Sequence, residues 1–412
     1  MKRVVTADRV LTPDRTIEPG MVIHEGGRIL DAGTAGEITI PSTVDEEVNL
    51  DGYSILPGLV DGHVHLTGTG VDVVPPRGPF EESIAGSTIR AVENARRTLH
   101  AGVTTVRDLG GPNEVVFELR DRIDAGDISG PRVIAAGQGL STTGGHGDTV
   151  PERIATDEMR EQSVTKSRVV DGQLEVRRAI RSQLKWGADV IKVWATDGVT
   201  DESGGHELHF TPTELTAASE EARNRDVPVA AHAHCPEGIQ ACLDAGVRSI
   251  EHGIWMDEES MNRIAESEVY LTLTYATMFA LVEDERRPEW MRDNADRALD
   301  HHLSMLPRAR ERGVAFAMGT DAGTALPNGH NGRELELMIR EGGFDPEDTI
   351  EVCTERTAAM LGLDDVGRIE QGYIADFIAV KGDPIEDAEL LSDPQNIHLV
   401  VKDGEVMKDE LG

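Results

Sequence analysis

Two histidines, His63 and His65, stand two positions apart in the stretch Leu59–Leu66 (LVDGHVHL), behind Ile55-Leu56-Pro57-Gly58. In an extended strand, residues two apart share a face, so both imidazoles, with Asp61, point the same way. Two imidazoles on one face make half of a metal site. Residues able to complete it close other apolar runs: Lys192 in VIKVWA (190–195), His232 and His234 in AHAH (231–234), His252 in IEHG (250–253) and Asp321 in MGTDA (318–322). A lone histidine on a strand is more often a hydrogen-bonded core residue than a ligand. Buried polar groups cost free energy unless paired, however, and five such strand ends converging on one place need a shared partner. A cation is the simplest one.

The elements that must position these residues follow from periodicity. Short alternating segments (Arg3–Thr6, Met21–His24, Arg28–Asp31) punctuated by glycines predict a small antiparallel β unit over residues 1–57. From Leu59 the pattern changes. Strand-like runs at Leu59–Leu66, Val103–Leu109, Arg132–Leu140, Val190–Thr196, Val227–His234, Arg248–His252, Val269–Tyr275 and Val314–Asp321 alternate with amphipathic stretches. Those stretches are Ile84–His100, Leu174–Trp186, Pro212–Asn224, Pro236–Ala245 and Asn294–Arg312. Eight β/α units predict an α/β protein built on a (β/α)8 TIM barrel over residues 58–365, whose active site lies at the C-terminal ends of the strands. Residues 366–412 return to a short β pattern. The simplest architecture pairs them with residues 1–57, so that the barrel is inserted into a small composite β-sandwich.

Lys192 is the most informative of the strand-end residues. Both faces of a parallel barrel strand are buried, and this chain has only seven lysines among 40 basic residues. One reading is a snorkelling or ion-paired lysine near the strand end. The other is a lysine whose pKa is lowered by burial and whose neutral amine reacts with CO2. The carbamate formed is an anionic, two-oxygen ligand able to bridge two cations.

The motifs LPGLVDGHVHL (56–66), GVTTVRDLGG (102–111), TTGGHGD (142–148), IKVWATDG (191–198), VAAHAHCPEGIQACLDAG (229–246), SIEHG (249–253), GTDAG (319–323) and GRIEQGYIADF (367–377) span nearly the whole chain. In content and order they resemble the amidohydrolase superfamily, and within it the zinc-dependent Xaa-Pro dipeptidase-like group related to imidazolonepropionase. The resemblance implies two Zn2+ or similar divalent ions. His63, His65 and Asp321 would hold one, His232 and His252 the other, and carboxylated Lys192 would bridge them. His232 rather than His234 is taken as ligand because it is the first histidine of the HAH motif. The chain departs from the family pattern at Cys235, where a glycine usually follows HAH.

The resemblance further implies cleavage of an amide bond in a dipeptide or N-acyl amino acid through a metal-bridging hydroxide. Asp321 would act as base and then acid. His146, in the glycine-rich loop after strand three, is a candidate for stabilising the tetrahedral oxyanion, with His234 as a second candidate. A loop histidine with a structural hydrogen bond is the other reading of His146. His206, His209 and His330 lie in loops at the same face and are candidates for substrate contact. His301 and His302, in an amphipathic stretch, read as surface residues; Asp108, at the end of strand two, either supports the metal ligands from behind or has Arg107 as a structural partner. Two other functions stay open. One is an imidazolonepropionase-like cyclic amidohydrolase or deaminase, against which Lys192 argues, because those enzymes usually run on one metal. The other is a non-catalytic scaffold relative, which typically has lost ligands.

Composition narrows the partners. The net charge of −35 opposes binding to nucleic acid. No run of about 18 apolar residues suggests a membrane span. The N-terminus lacks a signal-peptide core, so a cytoplasmic protein is expected. Cys235, Cys242 and Cys353 make no even disulfide framework and read as buried free thiols. The acid-rich, lysine-poor composition suggests adaptation to high salt. The oligomeric state is left open, a homo-oligomer being compatible with the sequence.

Overall fold

The computed structural model describes residues 1–12, 15–70, 83–150 and 165–411. The first element, β1 (Lys2–Leu11), forms the centre of an eight-stranded sheet. It pairs with β2 (Thr16–Ile17) and β3 (Gly20–Glu25), and β3 with β4 (Arg28–Gly33), all antiparallel. The next strand, β5 (Glu46–Pro57), runs parallel to β1, so the N-terminal unit is mixed rather than purely antiparallel. Its alternation is broken by Asp51-Gly52, which hides it from a reading based on strict period two.

The chain then enters a series of short parallel strands: β6 (Leu59–Val64), β7 (Val103–Asp108), β8 (Arg132–Ala135), β9 (Gly139–Ser141), β10 (Ser167–Val169), β11 (Ile191–Trp194), β12 (Val229–Ala233), β13 (Ser249–His252), β14 (Tyr270–Thr272) and β15 (Ala315–Ala317). They form a three-stranded sheet, β6-β7-β8, and a seven-stranded sheet, β10-β9-β11-β12-β13-β14-β15. Backbone hydrogen bonds join the two. Gly62 N–H donates to Met318 O (2.9 Å), Asp321 N–H to His63 O (2.8 Å) and His65 N–H to Ala322 O (2.7 Å). At the other junction Asp189 N–H donates to Ala135 O (2.9 Å). Strand three, expected as one run over 132–140, is divided into β8 and β9, because Gly137 adopts φ +66° between them. Strand seven is shorter than expected, since Thr274 turns to φ +61° and a helix begins at Tyr275.

The helices between strands match the amphipathic stretches closely. Ile84–His100 is capped by Ser83, whose hydroxyl accepts from Gly86 N–H (3.1 Å). Pro212–Arg223 starts with a capping box between Thr211 and Glu214. Pro236–Ala245 ends on left-handed Gly246. The long helix Glu289–Glu311 buries His302 completely while His301 stays exposed, so the surface placement expected for His302 is corrected. His302 packs on the Tyr275 ring at 5.1 Å, and neither ring nitrogen has a hydrogen-bond partner among the described residues.

The last strands, β16 (Phe377–Lys381), β17 (Ile397–Lys402) and β18 (Glu405–Asp409), rejoin the first sheet. Phe377 on β16 lies opposite Pro57 on β5, antiparallel. Ile29, Leu50, Ile55, Phe377 and Leu399 share one apolar cluster, which ties both chain ends together. No helix among the described residues is long and apolar enough to cross a membrane. All three cysteines are buried and unpaired.

Candidate active site

The ends of β6, β9, β11, β12, β13, β14 and β15 open into one cleft of about 350 Å3, lined among others by His63, His65, His146, His232, His234, His252 and Asp321. These imidazoles form a continuous cluster. Ring centroids lie 5.6 Å apart for His63 and His65, 5.0 Å for His63 and His252, 4.7 Å for His232 and His252, and 4.4 Å for His232 and His234. His63, His252 and Asp321 present ligand atoms within 4.8 Å of one another, and so do His232, His234 and His252. His234 thus stands as close to the cluster as His232 does.

Four of these imidazoles, those of His63, His65, His232 and His252, are oriented by a hydrogen bond through one nitrogen, leaving the other for the centre. His63 Nδ1 lies 2.9 Å from Glu251 Oε2, and His65 Nδ1 lies 2.9 Å from Gly110 O. His252 Nδ1 meets Thr274 Oγ1 at 2.8 Å, and His232 Nε2 meets Asp197 O at 3.0 Å. On the central side, Asp321 Oδ1 stands 3.3 Å from His65 Nε2 and 3.7 Å from His63 Nε2. Burial, and then neighbouring cationic groups, push His63 down to about 4, while burial and adjacent imidazoles hold His232 and His252 well below the ordinary histidine range. At neutral pH these rings are uncharged and offer lone pairs.

Lys192 is 1% exposed, and its ammonium has no hydrogen-bond partner among the described residues. Burial lowers its pKa to about 7. Asp321 Oδ1 is a second buried polar atom, with the rings of His65 and His63 at 3.3 and 3.7 Å as its neighbours. A buried lysine nitrogen and a buried carboxylate oxygen among imidazoles that offer lone pairs make a donor set suited to divalent cations. The residues present therefore fit the metals that the motifs imply.

The backbone concentrates its strain at the same place. His252 (φ +73°), Thr274 (φ +61°) and Asp321 (φ +54°) are three of the five non-glycine residues with positive φ among the described residues. Each such residue costs on the order of 1 kcal/mol or more and persists only where its surroundings hold it. Here the His252–Thr274 hydrogen bond, the Asp321 N–H to His63 O bond and a Thr277 hydroxyl donating to Asp321 O (3.0 Å) do so.

Several side chains have roles that pattern alone did not reveal. Glu251 is fully buried between His63 and Arg107, whose Nη2 donates to it at 2.8 Å. Arg107 also donates to Gly62 O (2.6 Å) and Ser249 Oγ (3.0 Å), so it links β6, β7 and β13 across the interior. Its partner is therefore Glu251 and not Asp108, which instead accepts from Leu66 N–H (2.8 Å) and Gly110 N–H (3.0 Å). A clue was present in the sequence: Glu251 immediately precedes His252, on a strand with no exposed face. Asp61 faces away from the ligand cluster and accepts from the Thr320 hydroxyl (2.6 Å) and Asn331 Nδ2 (2.8 Å). Glu334, also buried, accepts from Tyr275 N–H (2.9 Å) and Ala276 N–H (2.6 Å), and burial raises its pKa to about 8.

The loop histidines separate. His146 stacks on His232 at 4.8 Å, its Nδ1 lies 2.8 Å from Asp201 Oδ2, and it faces the cleft. His209 stands behind it, with Nδ1 accepting from His146 N–H (3.3 Å). His206 is exposed and stacks on Trp255 at 4.5 Å. Neither His206 nor His209 lines the cleft. His330 is not brought to it either: it is exposed and lines a separate groove with Arg96, Arg97 and His100. Cys235, where a glycine was expected, has φ −79° and ψ 154°, an extended geometry that any residue adopts, and it serves as the N-cap of Pro236–Ala245.

Set beside known proteins, residues 54–407 match the amidohydrolase family. The ochratoxinase of Aspergillus niger is 31% identical over 371 residues, covering 86% of this chain and 75% of that protein. An imidazolonepropionase of Cereibacter sphaeroides is 23% identical over 398 residues, covering 92% and 93% of the two chains. Among solved structures, a Xaa-Pro dipeptidase with methionine bound in its active site superposes with a TM-score of 0.88 at 34% identity, covering 98% of this chain and 99% of the other.

Proposed function

The chain belongs to the amidohydrolase family, and from that premise we propose that it hydrolyses the amide bond of a dipeptide or N-acyl amino acid, with two divalent cations, zinc or similar, bridged by carboxylated Lys192. The observation that carries this reading is Lys192 itself. An ammonium without a hydrogen-bond partner and 1% exposed is costly, and it is relieved when the neutral amine becomes an anionic ligand. In that step the amine nitrogen bonds to the carbon of CO2 and one proton is released. His63, His65 and Asp321 would hold one cation, His232 and His252 the other. His234 is left for the oxyanion or the substrate. When bound, the cations activate a water and polarise the scissile carbonyl.

The chain's own groups supply the proton transfers and the positioning. Asp321 Oδ1 takes the proton released as water adds to the carbonyl, then gives it to the departing amine. His146, held through Nδ1 by Asp201 and facing the cleft, is left to stabilise the oxyanion. Glu251 and Gly110 O fix the tautomers of His63 and His65. The parallel strands are read as one (β/α)8 barrel over residues 58–365, with 1–57 and 366–412 forming a composite β-sandwich. The pairing of β16 with β5 and the hydrogen bonds that join β6 to the segment after β15 support this. A cytoplasmic location belongs to the same proposal.

The test is a screen of dipeptides and N-acyl amino acids against protein loaded with zinc in the presence of bicarbonate. Release of the free amino acid, lost in H63A and D321A, is the expected result. Turnover that survives both substitutions would place the chemistry elsewhere.

A further inference from the structure

The cleft contains few charged groups outside the ligand cluster, and their pairing is uneven. Asp201 is engaged by His146 at 2.8 Å. Arg287, on the wall after β14, has Asp284 at 3.5 Å. Lys166 lines the cleft as well, with its ammonium 5.9 Å from the centre of the Trp194 ring, and it has no ion pair or hydrogen bond to its ammonium among the described residues. In a chain with 75 acidic and 40 basic residues, a cleft lysine left without a carboxylate is conspicuous.

The two walls differ in character. The seven-stranded sheet places β9 and β11 on one side and β14 and β15 on the other, with β12 and β13 between them. Lys166, Trp194 and His146 belong to the first wall. Met278, Leu281 and Met291 belong to the second, beside Asp321. With Asp321 handing a proton to the departing amine, as proposed above, the amine half of the substrate would lie along the second wall, where Met278, Leu281 and Met291 stand beside Arg287. The carbonyl oxygen faces His146, and the acyl half extends along the first wall, toward Lys166.

We infer that Lys166 is an anion anchor for the acyl half, and that the preferred substrate is an amide of a dicarboxylic acid, such as an N-succinyl amino acid, with an apolar side chain on the amine half. This rests on the amide-hydrolase reading above. A lysine ammonium meeting a carboxylate inside a cleft forms a charge-assisted hydrogen bond, which corresponds to about a tenfold to hundredfold preference.

The test compares N-succinyl-L-methionine with N-butanoyl-L-methionine, which differ in the terminal carboxylate, on metal-loaded wild type, K166M and K166R, with metal content measured for each. The inference predicts at least a tenfold preference for the succinyl compound in kcat/KM in wild type. K166R retains that preference, and in K166M it falls to about one. Calorimetric titration should likewise show succinate binding wild type more tightly than butanoate, a difference absent in K166M. Equal turnover of the two amides by wild type, or a preference that survives K166M, overturns the role of Lys166 while leaving amide hydrolysis intact. If wild type cleaves neither amide nor any compound of the dipeptide screen, the hydrolase reading falls, and the anchor with it.

Discussion

His63 illustrates how much of the site rests on residues that touch no substrate. Its Nδ1 is held by Glu251, and Glu251 is in turn shared with buried Arg107. Glu251→Gln keeps the shape but removes the charge. Metal affinity should fall about tenfold to hundredfold, and the stranded Arg107 guanidinium should cost about 3–5 kcal/mol of stability, read by metal analysis and chemical unfolding. A variant with wild-type metal content and stability would show that the pair does not position His63. His302 offers a separate test. Burial pushes it down to about 3 in the fold, whereas a free histidine titrates near about 6.5. The unfolded chain therefore binds more protons in that interval. The contribution of the neutral ring is complete above about pH 6.5 and is lost as pH falls toward 3. His302→Leu removes two buried nitrogens without partners and should flatten the decline in stability between about pH 6 and 4 by up to one proton. An unchanged slope would mean that His302 is protonated or solvated in the native protein. At this scale the sequence was legible where a residue type is rare in its setting: Lys192, His63 and His65 announce themselves. Glu251 and Lys166 did not, because a carboxylate and a lysine are ordinary residues until burial and partners are known.

The strands deliver these side chains, and their ends determine the geometry. The turn after β15 shows how tightly. Gly323 has φ +100°, and a Cβ there would run into the backbone carbonyl of His65. Gly323→Ala should therefore push the Asp321 turn away from β6 and reduce metal occupancy, with a destabilisation of at least about 1 kcal/mol. Wild-type occupancy in that variant would mean that the turn has slack. Periodicity located all eight strand-like runs between Leu59 and Asp321 because strands buried on both faces read as continuous apolar stretches. It did not divide β8 from β9, since Gly137 looks the same in a strand as in a turn. It also missed β5, whose short alternation at Val48 and Leu50 is broken by Asp51-Gly52. Positive φ at His252, Thr274 and Asp321 has no signature in residue type, because tertiary contacts impose it.

At the scale of the whole molecule, the excess of 35 negative charges favours expansion through self-repulsion, which salt screens. We propose adaptation to high salt, and the melting temperature should rise steeply from low to molar salt. A melting temperature indifferent to salt would remove that reading without touching the site. In the cleft, His63, His65, His232, His252 and Asp321 are proposed to hold two cations, with Lys192 as the bridge between them. The most direct test of this proposal is the metal content of pure protein reconstituted with zinc and bicarbonate, measured in parallel on K192M. Two zinc ions per chain are expected in the wild type and fewer than two in K192M. One zinc ion per chain, unchanged by K192M, would contradict it.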